Sequence, residues 1–556
     1  MRNLLGVFFV CFLLFDLVGP NFAGLPLVDL SLILFFSWYF WTLVNKRCFL
    51  KGLKIIRWLL WGGCQVYLVA LLIELVKSPD MLLQHPGAQF HAIVEAWLIL
   101  GLVFMGATSP RVVRFFSNIQ NNPAQFIALT YFGVALGAAL LLILPISLNY
   151  GRELSPLNAL FTTISAISGT GLVVVNTATT FSMFGKFIIL IVIQAGGIGI
   201  ITFGGALLLS IGKELGLNER VLQDTTERLH FLGDLRSFFK LVAIVVFSIE
   251  IVGAILLLPW HLSIIQNPFD AAFQSLFHSI SAFCTAGFST LEQGMFAARQ
   301  SYSTLLTIGG LSVLGMLGIP TIVNILELLK KKQGYHKLSA NSKLELLVNS
   351  GVLIFGLLSI FIVEFMNPIY NSTADQFMQA LFHSSQRSAG FNSMDIASYT
   401  LPSIFILVSL MAIGSAPMST GGGVRTSSIG LFIVFVISFL RGQTEASFAG
   451  RRIPLFIFLK AASLIFLHFS ILFFGFIALV LTQKAPPLDL LFEATSALSL
   501  TGLTLGATAS LDSIGKWILI FLMLIGRIGI LTGIYALIRS RRPARFRYPQ
   551  GEFYVG

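Results

Sequence analysis

Four glycines are the residues of this 556-residue chain whose surroundings best suit chemistry, because each ends a copy of one short segment. The copies read Leu160-Phe-Thr-Thr-Ile-Ser-Ala-Ile-Ser-Gly-Thr-Gly171-Leu, Leu276-Phe-His-Ser-Ile-Ser-Ala-Phe-Cys-Thr-Ala-Gly287-Phe, Leu381-Phe-His-Ser-Ser-Gln-Arg-Ser-Ala-Gly390-Phe and Leu491-Phe-Glu-Ala-Thr-Ser-Ala-Leu-Ser-Leu-Thr-Gly502-Leu. Nine residues separate the Phe from the last Gly in copies one, two and four, and seven in copy three. A small residue, Thr170, Ala286, Ala389 or Thr501, precedes each glycine. Such a segment is amphipathic and too short to cross a bilayer. It can enter halfway as a helix and return as extended backbone. Non-helical backbone is tolerated at membrane depth only where protein or a water-filled path covers it. Four such units around one axis would aim carbonyl oxygens at a shared point, where they can replace the water shell of a cation. The C-terminal ends of the half-helices add negative partial charge there. Glycine lets the chain turn sharply and approach an ion without a Cβ. A single Gly-small motif would be read as helix packing. Four copies in the same position between two apolar spans point instead to a cation path.

Those spans must hold the segments in place. The chain is 56% hydrophobic and 11% charged, against about 25% charged in soluble domains. Apolar runs of about 20 residues, each long enough to span a bilayer core, recur throughout. The fold class expected is an all-α polytopic membrane protein. Each of four repeats would run span, half-helix, glycine loop, span around a pseudo-fourfold pore. The paired spans fall near 125–147 and 186–210, 237–259 and 303–329, 345–366 and 402–440 (the last broken), and 457–482 and 514–538. The repeats occupy 120–211, 212–335, 336–452 and 453–540, followed by a basic tail over 541–556. About four extra spans, near 3–19, 25–44, 55–76 and 91–107, fill 1–119. The first resembles a signal peptide but lacks a clear small-x-small cleavage site, so it reads as a retained span.

The net charge of +12 is carried by the links between spans. Lys46, Arg47, Lys51, Lys54 and Arg57 precede the third apolar run, and Lys330, Lys331, Lys332, Lys337 and Lys343 link repeats two and three. Arg441, Arg451, Arg452 and Lys460 follow, and Arg539, Arg541, Arg542, Arg545 and Arg547 mark the tail. The glycine-ended copies are poor in Lys and Arg. The positive-inside rule therefore puts the links and both termini in the cytoplasm and the glycine loops outside. This pattern removes the nucleic-acid reading of the net charge. Trp260, Tyr150 and Tyr302 fall near outer interfaces as anchors. The four cysteines (Cys11, Cys48, Cys64, Cys284) form no CxxC pair and suggest neither a disulfide frame nor a zinc site. No HExxH, Ser/His/Asp cluster or paired intramembrane carboxylates indicate an enzyme. No GxGxxG follows a strand, so no organic cofactor is expected in this chain.

With these motifs the chain resembles the Trk/Ktr/HKT superfamily of cation transporters over about 120–540. The loops ending Thr-Gly-Leu, Ala-Gly-Phe-Ser, Arg-Ser-Ala-Gly-Phe-Asn and Thr-Gly-Leu-Thr are similar to that family's loops. So are Gly414-Ser-Ala-Pro-Met-Ser-Thr-Gly421-Gly-Gly-Val-Arg425-Thr-Ser, a glycine-rich break in the third inner helix, and Gly526-Arg527-Ile-Gly529-Ile-Leu-Thr532, an arginine-bearing fourth inner helix. The triple glycine and Arg387-Ser-Ala-Gly390 resemble the KtrB-type subunit most. The resemblance implies potassium uptake driven by membrane voltage, with a role for sodium open. It implies that Gly171, Gly287, Gly390 and Gly502 hold potassium, with Thr170, Ala286, Ala389 and Thr501 beside them. Relatives with Ser in the first loop prefer sodium, and Gly171 stands there instead. The family also implies a homodimer in membrane lipid and a separate cytoplasmic nucleotide-binding subunit of KtrA/TrkA type. A sodium transporter of the same fold and a sodium-coupled symporter for an organic solute are the rival readings.

The break has its own physical reading. Gly421, Gly422 and Gly423 each cost a helix about 1 kcal/mol relative to Ala, and Pro417 blocks it further. A loop here, with Ser419 and Thr420, would lie below the glycines and could act as a gate, or serve as a static kink. Arg527 in a span should face an aqueous cavity or a partner. It is expected to hold the gating loop through carbonyls and to raise a barrier to cations. Glu250 reads as a structural hydrogen-bonding group, and Asp16, Glu74 and Glu95 as partners for nearby bases. His278 and His383 read as a product of duplication, Cys284 as packing, and Arg387 as either orienting its loop or repelling cations. The register of the short third half-helix is open.

Overall fold

The computed structural model describes residues 123–197 and 235–529, apart from 333, 366 and 444. All of these fall in one of the chain's two compact units, 99–206 with 216–556. The extra N-terminal spans, the 198–234 stretch, the basic tail, Cys11, Cys48, Cys64, Asp16, Glu74, Glu95 and Thr532 lie outside the described residues.

The described chain is almost entirely helical. Helix α1 (Pro123–Ile143), α2 (Pro156–Ser168) and α3 (Met183–Gly197) come first. Then follow α4 (Leu235–Ile264), α5 (Pro268–Phe283), α6 (Tyr302–Met316) and α7 (Ile319–Lys331). After these come α8 (Ala340–Val363), α9 (Thr373–Ser385), α10 (Leu401–Ala412) and α11 (Thr426–Leu440). A two-residue hairpin pairs Ser447 with Arg452 and Phe448 with Arg451. Helix α12 (Leu455–Thr482), α13 (Pro487–Ser499) and α14 (Ser513–Ile528) complete the order.

Length and apolarity suit α4, α8 and α12 to crossing a membrane, and α6 with α7 as a fourth if that bent pair is one span. Their outer faces carry exposed apolar side chains such as Ile255, Phe355, Phe466 and Phe474. The four short helices have the opposite character. Residues 159–168 of α2 are all buried, including Thr162, Thr163, Ser165 and Ser168. Apolar groups outside and hydroxyls inside fit a protein whose solvent is lipid.

The starts of the short helices are written locally. Ser155 caps α2, with its hydroxyl accepting from the Asn158 N–H at 3.3 Å. Asn267 caps α5 through the Phe269 N–H at 3.0 Å, and Ser372 caps α9 through the Asp375 N–H at 3.1 Å. Proline at the first turn of α2, α5 and α13 costs no hydrogen bond there.

Neighbours in the chain pack together: α1 on α2, α4 on α5, α8 on α9, and α12 on α13. The third helix of each group also reaches the next short helix. Helix α3 meets α5, α6 meets α9, α10 meets α13, and α14 returns to α2. The contacts therefore close a circle.

Two sequence expectations change. The span expected to run unbroken over 303–329 bends by 105° between α6 and α7. Leu317 and Gly318 are extended there, and Pro320 opens the next helix, so the ladder cannot continue. The fourth inner helix, expected over 514–538, is capped at Gly529 with φ 90, and Arg527 lies in its last turn. The rest of that range lies outside the described residues, as does 198–210 of the first inner span.

Candidate functional site

The loops that follow the four short helices converge. Gly171, Gly287, Gly390 and Gly502 all have positive φ, at 88, 66, 73 and 88. A methyl group on Gly171 would sit 2.3 Å from the Ala286 carbonyl oxygen, and one on Gly287 would sit 2.6 Å from that of Ala389. The same group on Gly390 would meet the Thr501 oxygen at 2.2 Å, and on Gly502 the Thr170 oxygen at 2.0 Å. Each glycine thus abuts the small residue and glycine of the next copy, and the fourth abuts the first. All eight sequence-predicted residues come together in this ring. Thr170, Ala286, Ala389 and Thr501 are wholly buried. No side chain fits between neighbouring loops, which is the physical reason for glycine at these points.

A serine six residues before the glycine supports three of the loops, a role the sequence reading did not assign. The Gly171 N–H donates to Ser165 Oγ at 3.1 Å, and the Gly502 N–H donates to Ser496 Oγ at 2.9 Å. Ser281 Oγ donates to the Phe288 carbonyl at 2.8 Å. The signal was a fixed Ser-to-Gly offset in copies one, two and four. Copy three has Ser384 at the same offset, but its Oγ donates to Leu353 O at 2.8 Å, and the Gly390 N–H donates to the carbonyl of Gln386, two residues nearer, at 3.2 Å. The third short helix ends three residues after Phe382, where the others run six or seven past their Phe. That fixes the register left open by the sequence.

The loop over 413–425 separates α10 from α11 and folds back on itself. The Gly414 N–H donates to Val424 O at 3.1 Å, and the Ser415 N–H to Gly422 O at 3.0 Å. It docks on the bend between α6 and α7. The Ala416 N–H donates to Met316 O at 2.9 Å, and the Thr420 N–H to Gly315 O at 3.1 Å. Arg425 ties the loop internally, donating to Gly421 O at 2.7 Å. Ser419 Oγ donates to Ala416 O at 2.6 Å and stays within the loop. Gly423 has φ 75 and packs on Gly414.

This loop touches the ends of the glycine-bearing segments. Thr420 Oγ1 donates to Phe283 O at 2.9 Å, the last residue of α5. A methyl on Gly421 would sit 3.5 Å from Ser388 Cβ, and one on Gly422 would sit 2.6 Å from the Leu500 side chain. Arg527 supplies the remaining contact, because its Nη1 lies 3.8 Å from where a methyl on Gly169 would be. The guanidinium donates to Thr420 O and Gly196 O, and to Tyr131 Oη at 3.1 Å. A guanidinium is thus fixed by carbonyl dipoles and Tyr131 next to Gly169, two residues before the ring's Gly171, and every sequence-predicted gate residue lies in this cluster.

Three further candidates resolve. Arg387 is buried, and donates to Ile413 O and Gly414 O, both at 2.6 Å, and to Asn349 Oδ1 at 2.8 Å. It ties the third loop to the start of the 413–425 segment. Buried Glu250 accepts from Gln194 Nε2 at 3.0 Å. Cys284 is buried with its Sγ 2.3 Å from the position of a methyl on Gly197, which identifies it as packing between α3 and the second loop.

The family model described as "TrkH: Cation transport protein" matches residues 121–544. The chain belongs to this TrkH cation transport protein family. Its members are transporters rather than enzymes, and the KtrB-type resemblance read from the motifs holds. "Ktr system potassium uptake protein B" of Bacillus subtilis (strain 168) is 34% identical over 449 residues, covering 79% of this chain and 98% of that protein. "Ktr system potassium uptake protein D" of the same organism is 33% identical over 437 residues, covering 78% and 97%. Among solved structures, the potassium transporter TrkH from Vibrio parahaemolyticus superposes with a TM-score of 0.62 at 19% identity, over 85% of this chain and 97% of that one. The TrkH-family chain is therefore a helical membrane protein of TrkH-like fold.

Proposed function

We propose that this chain takes up potassium across the cell membrane through a filter built by four repeats of one polypeptide around a pseudo-fourfold pore. The carrying observation is the closed ring of Gly171, Gly287, Gly390 and Gly502, each against the next loop's carbonyl. The potassium uptake named for both Bacillus relatives supports the substrate. In this reading, carbonyl oxygens of Thr170, Ala286, Ala389 and Thr501 and their glycines take the place of the ion's water. Membrane voltage drives entry, at about 2.3 kcal/mol per charge per 100 mV.

The loop carrying Ser419, Thr420 and Gly421 to Gly423 lies under the ring, and Arg527 holds it there. It is the gate of this reading, and its displacement would open the path. The positive-inside pattern supports glycine loops outside and links, hairpin and both termini in the cytoplasm. The basic links would face anionic lipid or a KtrA/TrkA-type nucleotide-binding subunit, with the transporter itself a homodimer.

The test is radiolabelled rubidium uptake into vesicles holding the purified protein under an imposed negative-inside voltage, with potassium and sodium as competitors. Uptake that potassium blocks at lower concentration than sodium is expected. Equal competition by the two ions would replace potassium with monovalent cations in general. Protein that moves no alkali cation under any voltage would end the reading.

A further inference from the structure

The residue after the Phe of each segment occupies one matched position: Thr162, His278, His383 and Glu493. All four side chains are buried, each at 1% exposure or less. In two copies this side chain reaches across to the residue two places beyond the glycine. His278 Nε2 meets Ser289 Oγ at 2.9 Å. Glu493 accepts from the hydroxyl of Thr504 through one carboxyl oxygen and from that of Thr508 through the other. His278 is itself braced, with its Nδ1 3.2 Å from His261 Nε2 of the outer span and 2.8 Å from Gln274 O of its own helix.

The other two copies lack the link. Val173 stands two places past Gly171 and offers no polar group, and Thr162 Oγ1 turns back to Asn158 O at 2.8 Å. In copy three, His383 Nδ1 meets Tyr399 Oη at 2.9 Å, while His383 Nε2 and Asn392 Oδ1 are both buried without a partner. The ring order runs one, two, three, four, so the linked copies two and four face each other across it.

We infer that His278 and Glu493 are positioning residues that strut the outer limbs of two opposite filter loops, and that the struts set discrimination between cations of different size. The physical reason is that carbonyl coordination selects by spacing only where the backbone cannot relax around a smaller ion. Side-chain bonds from the rigid half-helix remove that freedom two places past the glycine in copies two and four; in copy three the half-helix instead holds Ser393, three places past its glycine, through Gln379. The inference rests on the uptake reading above.

The experiment compares Thr504→Val, Thr504→Ser, Ser289→Ala and Glu493→Gln with the full wild-type chain in vesicles. It measures the potassium-to-sodium ratio in competition against rubidium uptake, together with monodispersity in detergent. Thr504→Val is near-isosteric; it removes the strut bond, and with it the hydroxyl that accepts from the exposed Gly506 N–H, a donor that water can satisfy. It is expected to lower the ratio about fivefold, the scale of one buried hydrogen bond. Ser289→Ala should act similarly on the facing copy. Thr504→Ser keeps the hydroxyl and should restore the ratio. Glu493→Gln should lower it too, because the carboxyl also takes the Leu505 and Thr508 N–H groups and an amide nitrogen cannot accept from a loop donor. Unchanged ratios in both Thr504→Val and Ser289→Ala, with wild-type flux intact, overturn this inference alone. An unchanged ratio in Glu493→Gln, with flux intact, also overturns it. If Thr504→Val is not monodisperse, Ser289→Ala decides. Wild-type vesicles without cation flux overturn the uptake reading, and the inference with it.

Discussion

Arg527 donates from Nη1 to the carbonyl oxygen of Thr420, in the middle of the loop that breaks the third inner span. The same guanidinium reaches Gly196 O and Tyr131 Oη. One planar fork thus binds the loop to α1 and α3 at once, which a lysine's point charge does less well.

Arg527→Ala is therefore expected to free the loop. Hydrogen bonds from a charged donor contribute about 1.5–3 kcal/mol each. Losing the one to Thr420 should shift a closed loop towards open by about tenfold or more. Rubidium uptake into voltage-clamped vesicles should rise, and Arg527→Lys should fall between the two. Uptake equal to wild type in Arg527→Ala would remove Arg527 from the gate.

Arg387 serves stability more than permeation. Its three short bonds go to Ile413 O, Gly414 O and Asn349 Oδ1, so the charge is spent on fixing the third loop to α8 and to the start of the broken segment. Arg387→Ala should lower the melting temperature in detergent, at a cost of about 3 kcal/mol or more, since it strands three buried acceptors. Arg387→Lys should recover part of that loss. A melting temperature unmoved in Arg387→Ala would contradict the assignment.

How far the sequence reached follows from distance along the chain. The ring glycines were legible because each short copy carries its own buried face and turn, and three of the four have a side-chain cap just before them. The Ser165–Gly171 and Ser496–Gly502 bonds lie within one copy and were readable as a fixed offset. The bend at Leu317 and Gly318 was not, because hydropathy stays high through it and a lone Gly-Ile-Pro weighs little beside a triple glycine. Nor were the partners of Arg527 and Arg387. Tyr131 lies 396 positions from Arg527, and only the closed circle of helices brings them together. The third half-helix left its register open because its missing residues come from the C-terminal end, after Phe382.

Asp375 gives the fold an acid limit. Burial raises its carboxyl pKa, but the Arg299 guanidinium at 2.9 Å, the Asn371 N–H and the Gln379 amide outweigh that and hold it below the usual value. A carboxyl depressed in the folded state adds stability that is complete above its unfolded pKa, near 3.9, and is lost as pH falls through the lower folded value. Wild-type melting temperature should therefore drop below about pH 4. In Asp375→Asn it should start lower at neutral pH and show a smaller acid drop. An acid branch of the same size in the variant would assign it to other carboxyls.

Two glycine-to-alanine changes separate the ring from ordinary glycine content. Gly502 has φ 88, and a methyl there would lie 2.0 Å from Thr170 O and 3.0 Å from Gly171 Cα. Both are backbone atoms, so no side chain can swing aside, and left-handed backbone adds about 1–2 kcal/mol of strain for an L-residue. The loop must shift, and with it the spacing of the carbonyls that would coordinate the ion. Gly133 on α1 has nothing within 4 Å of the same position. There alanine gains helix propensity of about 0.8–1 kcal/mol. Gly502→Ala should thus lose most rubidium uptake while remaining monodisperse, because the four short helices keep their own packing. Gly133→Ala should keep wild-type uptake with equal or higher melting temperature. If Gly502→Ala carried rubidium at the wild-type rate and with the wild-type preference for potassium, the ring could not be where the ion sheds its water.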